Sequence, residues 1–505
     1  MTDKYKLYKD TLINDLTSKI NLYTNRFWLP PENIIYTKIH TNSWYSTDVY
    51  QKHNNYPLLD HKIKTTNNTT FYHCKKVNLL LSDYQKRIML RWMDACILMY
   101  NVTIRYIRQR EYNKLDPIYN WEELRTYHLK DTRNIIQKNS SLPKTKDDTK
   151  IPKTKNTKIP KTKDTKIRKH ILDEAIKAAC ASYKSAISNM ENKNIKHFRI
   201  RYIKLSKKSK TISLEPTFFS TESSTICSSV FGEIIETSTI CDSILDKTET
   251  FDLRDIRNKY KTTCKINYNC KTNKFTLFIP IKEKIQNNNN HKEYIGLDPG
   301  IRTFLTGISE NEVIKIGENL KYQLTSNLLR TDLLISKKNE YKVRIQTKNA
   351  TRKHTKIRKK NITNITVRNI EKRIIKVREK IKNKVDDMHW KAIKYLTNKY
   401  KNIVIGNMST KKIINNKTSV LAPMTKRIAS TMRLFKFTER LKYKCSTKSI
   451  GYEKMNEGYT SKICTNCGNI KEDLGGAEIY KCEKCKIIIE RDVNAARNIL
   501  LKAMK

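Results

Sequence analysis

The chain has 505 residues, 38% of them hydrophobic and 9% aromatic, which is enough for cores in two to four domains beneath a strongly polar surface. Its 102 Lys and Arg against 49 Asp and Glu give a formal charge of +53, a field that gathers polyanions and gains affinity from every phosphate contact through counterion release. No long apolar run marks a membrane span or a secretory leader; the protein is therefore expected inside the cell, where its twelve cysteines do not form a disulfide framework.

Residues 1–70, rich in Tyr, Asn, Thr and Lys with weak periodicity, read as a peripheral N-terminal extension. KKVNLLL (75–81) predicts a strand. Ser82 then caps a helix whose apolar positions include Ile88, Leu90, Met93, Ile97 and Tyr100. Residues 143–168 repeat PKTKDDTKI, PKTKNTKI and PKTKDTKI, a cationic linker that cannot build a core and that suits RNA contact, nuclear import or simple solvation. A helix is expected over 170–190. FRIRYIKLSKKSKTISLEP (198–216) alternates as a strand pair, with Arg199, Arg201 and Lys204 as candidate contacts to a phosphate backbone. Residues 217–252, rich in Ser, Thr and acids, read as an insertion or surface loop, and 264–281 as a β-hairpin turning at Lys271–Asn273. The basic stretch 320–400 predicts two long helices forming an arm, and 425–445 another helix with apolar Ile428, Met432, Phe435 and Leu441.

Three stretches carry chemistry. Cys464-x2-Cys467 and Cys482-x2-Cys485 set four thiolates at the spacing of one tetrahedral zinc, a closed structural site with no open position for a substrate. EYIGLDPGIRTFLTGIS (293–309) predicts a buried strand ending at Asp298, a Pro-Gly turn and a paired return strand, with VIKIG (313–317) as a third. A carboxylate at a strand end is a rigid oxygen ligand for a hard cation such as Mg²⁺, although an Asp in a turn is often only a turn residue. IERDVNAARNIL (489–500) opens a helix with Asp492 in its first turn and Val493, Ala496 and Leu500 inward, and this acid serves either as a cap or as a second ligand.

Asp298 in GLDPG, the YTSKICTNCG…YKCEKC ribbon and RDVNAARNIL together resemble the TnpB/Fanzor transposon-encoded nucleases, relatives of type V CRISPR effectors. The resemblance runs with gaps from about Lys75 to the C-terminus and takes in Asp387-Met388-His389-Trp390, similar to the motif before the fourth RuvC strand. It implies a multi-domain α/β chain. An RNase H-like (RuvC) domain over 291–505 would carry a basic helical arm at 320–400 and a zinc ribbon at 459–490. A wedge-like β-barrel over 71–290, with an inserted helical recognition region at 72–190, would precede it. It also implies an endonuclease using two Mg²⁺ ions, with a guide RNA from the transposon end and double-stranded DNA as partners, and nuclear work in a eukaryotic or virus-infected cell. The alternative is a transposon accessory that binds nucleic acid without cutting.

Family members hold the metals with three carboxylates, and Asp298 and Asp492 map to two of them. The usual third, a Glu at the end of the fourth strand, falls on Gly406 in NIVIGNMS (402–409), with no acid beside it. Glu457 in MNEGYTSKIC is the candidate replacement, as in the Fanzor branch, where a Glu has moved to just before YTSK. Glu453 and Glu439 compete with it, and an inactive fold retained for binding stands as the remaining possibility.

Overall fold

The computed structural model describes residues 13–14, 16–18, 37–41, 44–49, 70–141, 165–206, 209–231, 235–237, 239–242, 247–285, 292–309, 312–351, 359–415 and 420–503. The cationic repeat up to residue 164 lies outside them. The chain divides into a unit over Phe71–Glu283 and a second formed by Met1–Thr70 with Lys284–Lys505. Strands β1 (Thr37–Thr41) and β2 (Tyr45–Val49) belong to the second.

In the first unit, β3 (Thr70–Leu80) leads into α1 (Asp83–Tyr112), where Ser82 and Gln85 form a reciprocal capping box that satisfies two N-terminal backbone donors. Helices α2 (Lys130–Asn139) and α3 (Lys169–Glu191) pack on α1. Strands β4 (Ser209–Leu214), β5 (Glu236–Thr237), β8 (Cys264–Asn269) and β9 (Lys274–Lys284) join β3 in a five-stranded sheet of order β4-β8-β9-β3-β5, and β6 (Thr239–Asp242) pairs with β7 (Lys247–Thr250) apart from it. The β8–β9 hairpin turns where expected, with Asn273 in the left-handed region at φ 53°. Residues 217–252 are more than a surface loop. Phe219, Ile226, Val230, Phe231 and Ile235 are buried in this unit's core, and Phe231 meets Trp92 edge-on at 5.3 Å. Ser and Thr dominate the count there, but a few large apolar anchors decide the packing.

The second unit is built on a seven-stranded sheet of order β1-β2-β12-β11-β10-β13-β14, with β10 Lys292–Pro299, β11 Leu305–Ile308, β12 Glu312–Ile316, β13 Tyr400–Gly406 and β14 Gly451–Met455. β10, β11 and β12 are antiparallel neighbours, whereas β13 and β14 run parallel to β10. The supposed extension therefore contributes two strands, β2 pairing with β12, and Leu16 is fully buried against the ribbon.

Helices α4 (Leu320–Thr351) and α5 (Lys359–Lys399) form the expected pair. The single helix expected over 425–445 is broken into α6 (Pro423–Met432) and α7 (Leu434–Thr447) by Arg433 at φ 51°. The break shifts the apolar phase, so Phe437 is buried and Phe435 is exposed. His389 explains part of the motif around it. It is fully buried, stacks on Phe304 at 5.3 Å, pairs its Nε2 with the Met432 carbonyl at 2.9 Å and faces the Arg440 guanidinium at 3.1 Å. Burial pushes its imidazole down to about 3, so it packs as a neutral ring.

Strand alternation assigns the two faces of the sheet. Ile295, Leu297, Ile403 and Ile405 point into the core with α4, α5 and α7. Tyr294 and Val404 point into the other, with the ribbon and helix α8 (Arg491–Ala503). By the same parity Gly296, Asp298 and Gly406 face α8.

Candidate active site

Two glycines determine how close the elements of the site come. A side chain at Gly296 would place its Cβ 2.6 Å from the Ala496 carbonyl oxygen and 2.6 Å from Leu500 Cβ, so α8 lies directly on the β10 backbone. Asp492 stands four residues before Ala496, about 6 Å along the helix. Asp298 stands two residues after Gly296, about 6.6 Å along the strand. Asp492, in the first turn of α8, is close enough to Asp298, at the end of β10, to raise its carboxyl by repulsion.

The second glycine seats the third acid. Leu297 is paired with Ile405 in parallel register, so Gly406 lies beside Asp298 at neighbouring strand ends. Gly406 is also paired with Met455, the last residue of β14, and Glu457 follows two residues later and folds back. A Cβ on Gly406 would sit 2.2 Å from Glu457 Oε1. The Glu457 carboxylate thus occupies the space a side chain at 406 would take, and its Oε1 accepts the Met408 N–H at 2.7 Å. Of the competitors, Glu439 is exposed on α7, and Glu453, on β14, is not among the groups that act on Asp298.

Electrostatics tie the three acids together. Desolvation raises the Asp298 carboxyl well above the usual carboxylate range, Glu457 and then Asp492 push it further by repulsion, and Arg491 only partly opposes them. Burial lifts Glu457 to about 7 against the Met408 N–H, Lys454 and Lys502. Asp492 accepts from Arg491 Nε at 3.0 Å and Nη2 at 2.8 Å. Carboxylates that repel one another at a partly desolvated strand end fit a divalent cation, which would supply the missing positive charge.

The same electrostatics carry a pH consequence. The folded chain holds the Glu457 proton up to about pH 7, whereas an unfolded Glu releases it near about 4.3. Between those values the native state binds more protons, so this group's contribution to stability falls as pH rises through the window. In divalent-free buffer at pH 7.5, Glu457→Gln should melt higher than wild type, by about 2–4 °C for each kcal/mol relieved. At pH 4 the gap should close. Calorimetry at the two pH values checks this, and equal melting temperatures at pH 7.5 would count against the strained carboxylate.

The four-cysteine ribbon lies between Glu457 and α8 in the chain. The four cysteine sulfurs lie within 4.8 Å of one another, the one such group of potential metal ligands among the described residues. Cys464 Sγ and Cys485 Sγ are 3.6 Å apart, and Cys467 Sγ and Cys482 Sγ 3.5 Å. Tetrahedral Zn–S bonds of about 2.3 Å imply edges of about 3.8 Å, so the cage fits that ion. The first knuckle turns at Gly468 (φ 72°) and the second at Lys486 (φ 58°). Tyr480 is fully buried, and its hydroxyl donates to the Lys462 and Asn469 carbonyls, bracing the ribbon.

Helix α8 is not simply amphipathic. Val493, Ala496 and Leu500 are buried as expected, but so are Asn494, Arg497, Asn498 and Lys502. Asn494 donates to the Ile463 carbonyl and accepts the Thr465 N–H, Asn498 donates to the Thr460 and Ile463 carbonyls, and Arg497 donates to Thr465. Polar residues at i, i+3 and i+4 are equally the pattern of a solvated helix face, so the sequence alone did not reveal this packing role.

Arg199, Arg201 and Lys204 are all exposed, in the Phe71–Glu283 unit. Their segment is not a ladder strand. Half-buried Phe198 and Ile200 alternate with the arginines, and Asn101 pairs with both backbone groups of Ile203 at 2.8 Å, standing in for a neighbouring strand. Only the second half of the expected strand pair, β4, enters the sheet.

Residues 435–499 match the Cas12f1-like TNB domain family. A TnpB-like protein of Acanthamoeba polyphaga mimivirus is 30% identical over 502 residues, 95% of this chain and 86% of the relative. The CRISPR-associated endodeoxyribonuclease Cas12f1 of Sulfoacidibacillus thermotolerans is 28% identical over 133 residues, 26% of this chain and 30% of that protein. A solved Cas12f1–sgRNA–target DNA complex covers 83% of both chains at 14% identity, with a TM-score of 0.42. Identity along nearly the whole of the viral TnpB-like protein, together with the match over the ribbon segment, makes this chain a member of the TnpB/Fanzor-type family.

Proposed function

We propose that this chain is an RNA-guided, Mg²⁺-dependent DNA endonuclease encoded by a transposable element, with Asp298, Glu457 and Asp492 as its metal ligands. The observation that carries this reading is the meeting of three acids from β10, the turn after β14 and the start of α8, where repulsion and burial raise Asp298. Within the seven-stranded sheet, the run β12-β11-β10-β13-β14, antiparallel as far as β10 and parallel beyond it, supports reading this unit as an RNase H-like core. The name of the Cas12f1 relative, an endodeoxyribonuclease, points to the same reaction class. The carboxylate oxygens of the three acids are not gathered within 4.8 Å of one another as the four sulfurs are, so the reading rests on the repulsion that Glu457 and Asp492 exert on Asp298.

When bound, magnesium would activate water and neutralise the leaving oxygen. The chain's own residues supply the frame. Asp298 is fixed by the end of β10, Glu457 by the Met408 N–H, and Asp492 by the first turn of α8, whose positive dipole end favours anions there. Arg199, Arg201 and Lys204 would grip the backbone of the RNA–DNA duplex without reading its sequence, leaving recognition to base pairing. This reading carries with it the nucleus of a eukaryotic or virus-infected cell as the expected place of work.

Purified with its RNA and given matched duplex DNA and Mg²⁺, the wild type should cut. Asp298→Asn and Asp492→Asn should each lose at least about 10²-fold in rate, the scale of removing one preorganised electrostatic contact. Wild-type protein that binds the RNA and the DNA yet leaves the DNA intact at any Mg²⁺ concentration would establish the accessory-binder reading instead.

A further inference from the structure

The clamp on α8 has a second part, aimed at the turn that carries Glu457 and not at the ribbon. Lys502 is 5% exposed at the C-terminal end of the helix. Its Nζ donates to the Asn456 carbonyl at 3.1 Å and to the Gly458 carbonyl at 2.6 Å, the residues on either side of Glu457. Asn494, Asn498 and Arg497 take their partners from Thr460 to Thr465. Lys502 reaches upstream of them.

Burying an ammonium is costly unless its donors are used, and a buried Met would pack as well along this helix without that cost. The cation here bridges the two carbonyls that flank Glu457. The rest of the turn agrees with that conformation. Gly458 N donates to Asn456 Oδ1, and the Glu457 carbonyl accepts both the N–H and the hydroxyl of Thr460. Glu457 is not on a strand, unlike Asp298, so nothing in the ladder fixes its direction. The turn's own hydrogen bonds are joined by a contact from α8, which also bears Asp492.

We propose that Lys502 is the positioning residue for Glu457, clamping the main chain on both sides of it so that its carboxylate lies over Gly406. The proposal rests on the reading of Glu457 as a metal ligand. By this arrangement one helix presents the Asp492 carboxylate at its start and sets the Glu457 carboxylate from its end, so the spacing of the two acids is fixed by a single rigid body.

The test uses the full chain and Mn²⁺ as probe, with bound metal read by the loss of the free-ion electron paramagnetic resonance signal and loop order read by amide hydrogen exchange. Lys502→Met should weaken Mn²⁺ binding by about tenfold or more, the effect of removing a partner that orients a ligand, and should speed exchange over residues 456–460. Lys502→Arg, which keeps charge and donors, should restore affinity to within about threefold of wild type, on the same scale. If Lys502→Met does not fold, Lys502→Gln replaces it and should show the same loss. A folded Met or Gln variant with wild-type Mn²⁺ affinity and unchanged exchange would overturn the proposal. If wild type itself binds Mn²⁺ no better than Asp298→Asn, the metal-centre reading fails, and the exchange measurement alone then decides whether the clamp exists.

Discussion

Gly406→Ala should cost cleavage on the order of 10²-fold, the penalty of moving a catalytic group by about 1 Å, while leaving the fold nearly intact. The added methyl would lie 2.2 Å from Glu457 Oε1, 2.7 Å from its Cγ and 2.8 Å from its Cδ, with no backbone atom among these nearest contacts. A flexible carboxylate therefore gives way first, losing the Met408 N–H it accepts at 2.7 Å. The sheet is spared because the clash is with a side chain alone. The double variant Gly406→Ala/Glu457→Ala should be no worse than Glu457→Ala, since both remove the same ligand. Single-turnover cleavage of the four proteins at saturating Mg²⁺ measures the cycle. A Gly406→Ala enzyme that cuts within twofold of wild type would mean that Glu457 does not work from this seat.

Loss of the ion in the four-cysteine cage should have the largest effect on the fold. Structural zinc is worth about 10–16 kcal/mol in isolated zinc-finger peptides, and even part of that is comparable with the net stability of a domain, about 5–15 kcal/mol. Here the damage would not stay local. Cys464, Cys482, Tyr480, Leu474 and Ile487 share one buried cluster with Ile499 and Leu500 of α8. The carbonyls at 460, 463 and 465 are the partners of Asn494, Asn498 and Arg497. Once the ribbon opens, those polar side chains are left buried without partners, at about 1–3 kcal/mol each. Cys482→Ser, or strong chelation, should expose residues 459–490 to protease, loosen α8 and abolish cleavage. The Phe71–Glu283 unit, whose core is a separate cluster, should keep its melting transition. Metal analysis should give one zinc per chain, and a zinc-free protein that resists protease and still cuts would contradict this account.

Much of this centre could be read from the sequence because its signals are local. Four cysteines at short spacing define a cage wherever they occur. The run YIGLDPG declares a buried strand with an acid at its end, and DVNAARNIL a helix with an acid in its first turn. The ribbon, the β8–β9 hairpin, the two long helices and the strands around Asp298 form where periodicity puts them. The errors share a cause. Arg433 in a left-handed conformation, the anchors among the serines of 217–252 and the strands at 37–49 all depend on contacts with distant segments, which periodicity does not register.

The amino-acid sequence, then, determined the ligand types, the charge and the elements that carry them. Only the tertiary structure decided that Gly406 is empty so that Glu457, fifty-one residues later, can lie over it, that Gly296 lets α8 touch β10, and that Asn494, Asn498 and Lys502 are clamps and not a solvated face. The physical reason is that a glycine specifies only the absence of a side chain. What fills that space is set by strand register and helix packing, which join residues far apart in the chain.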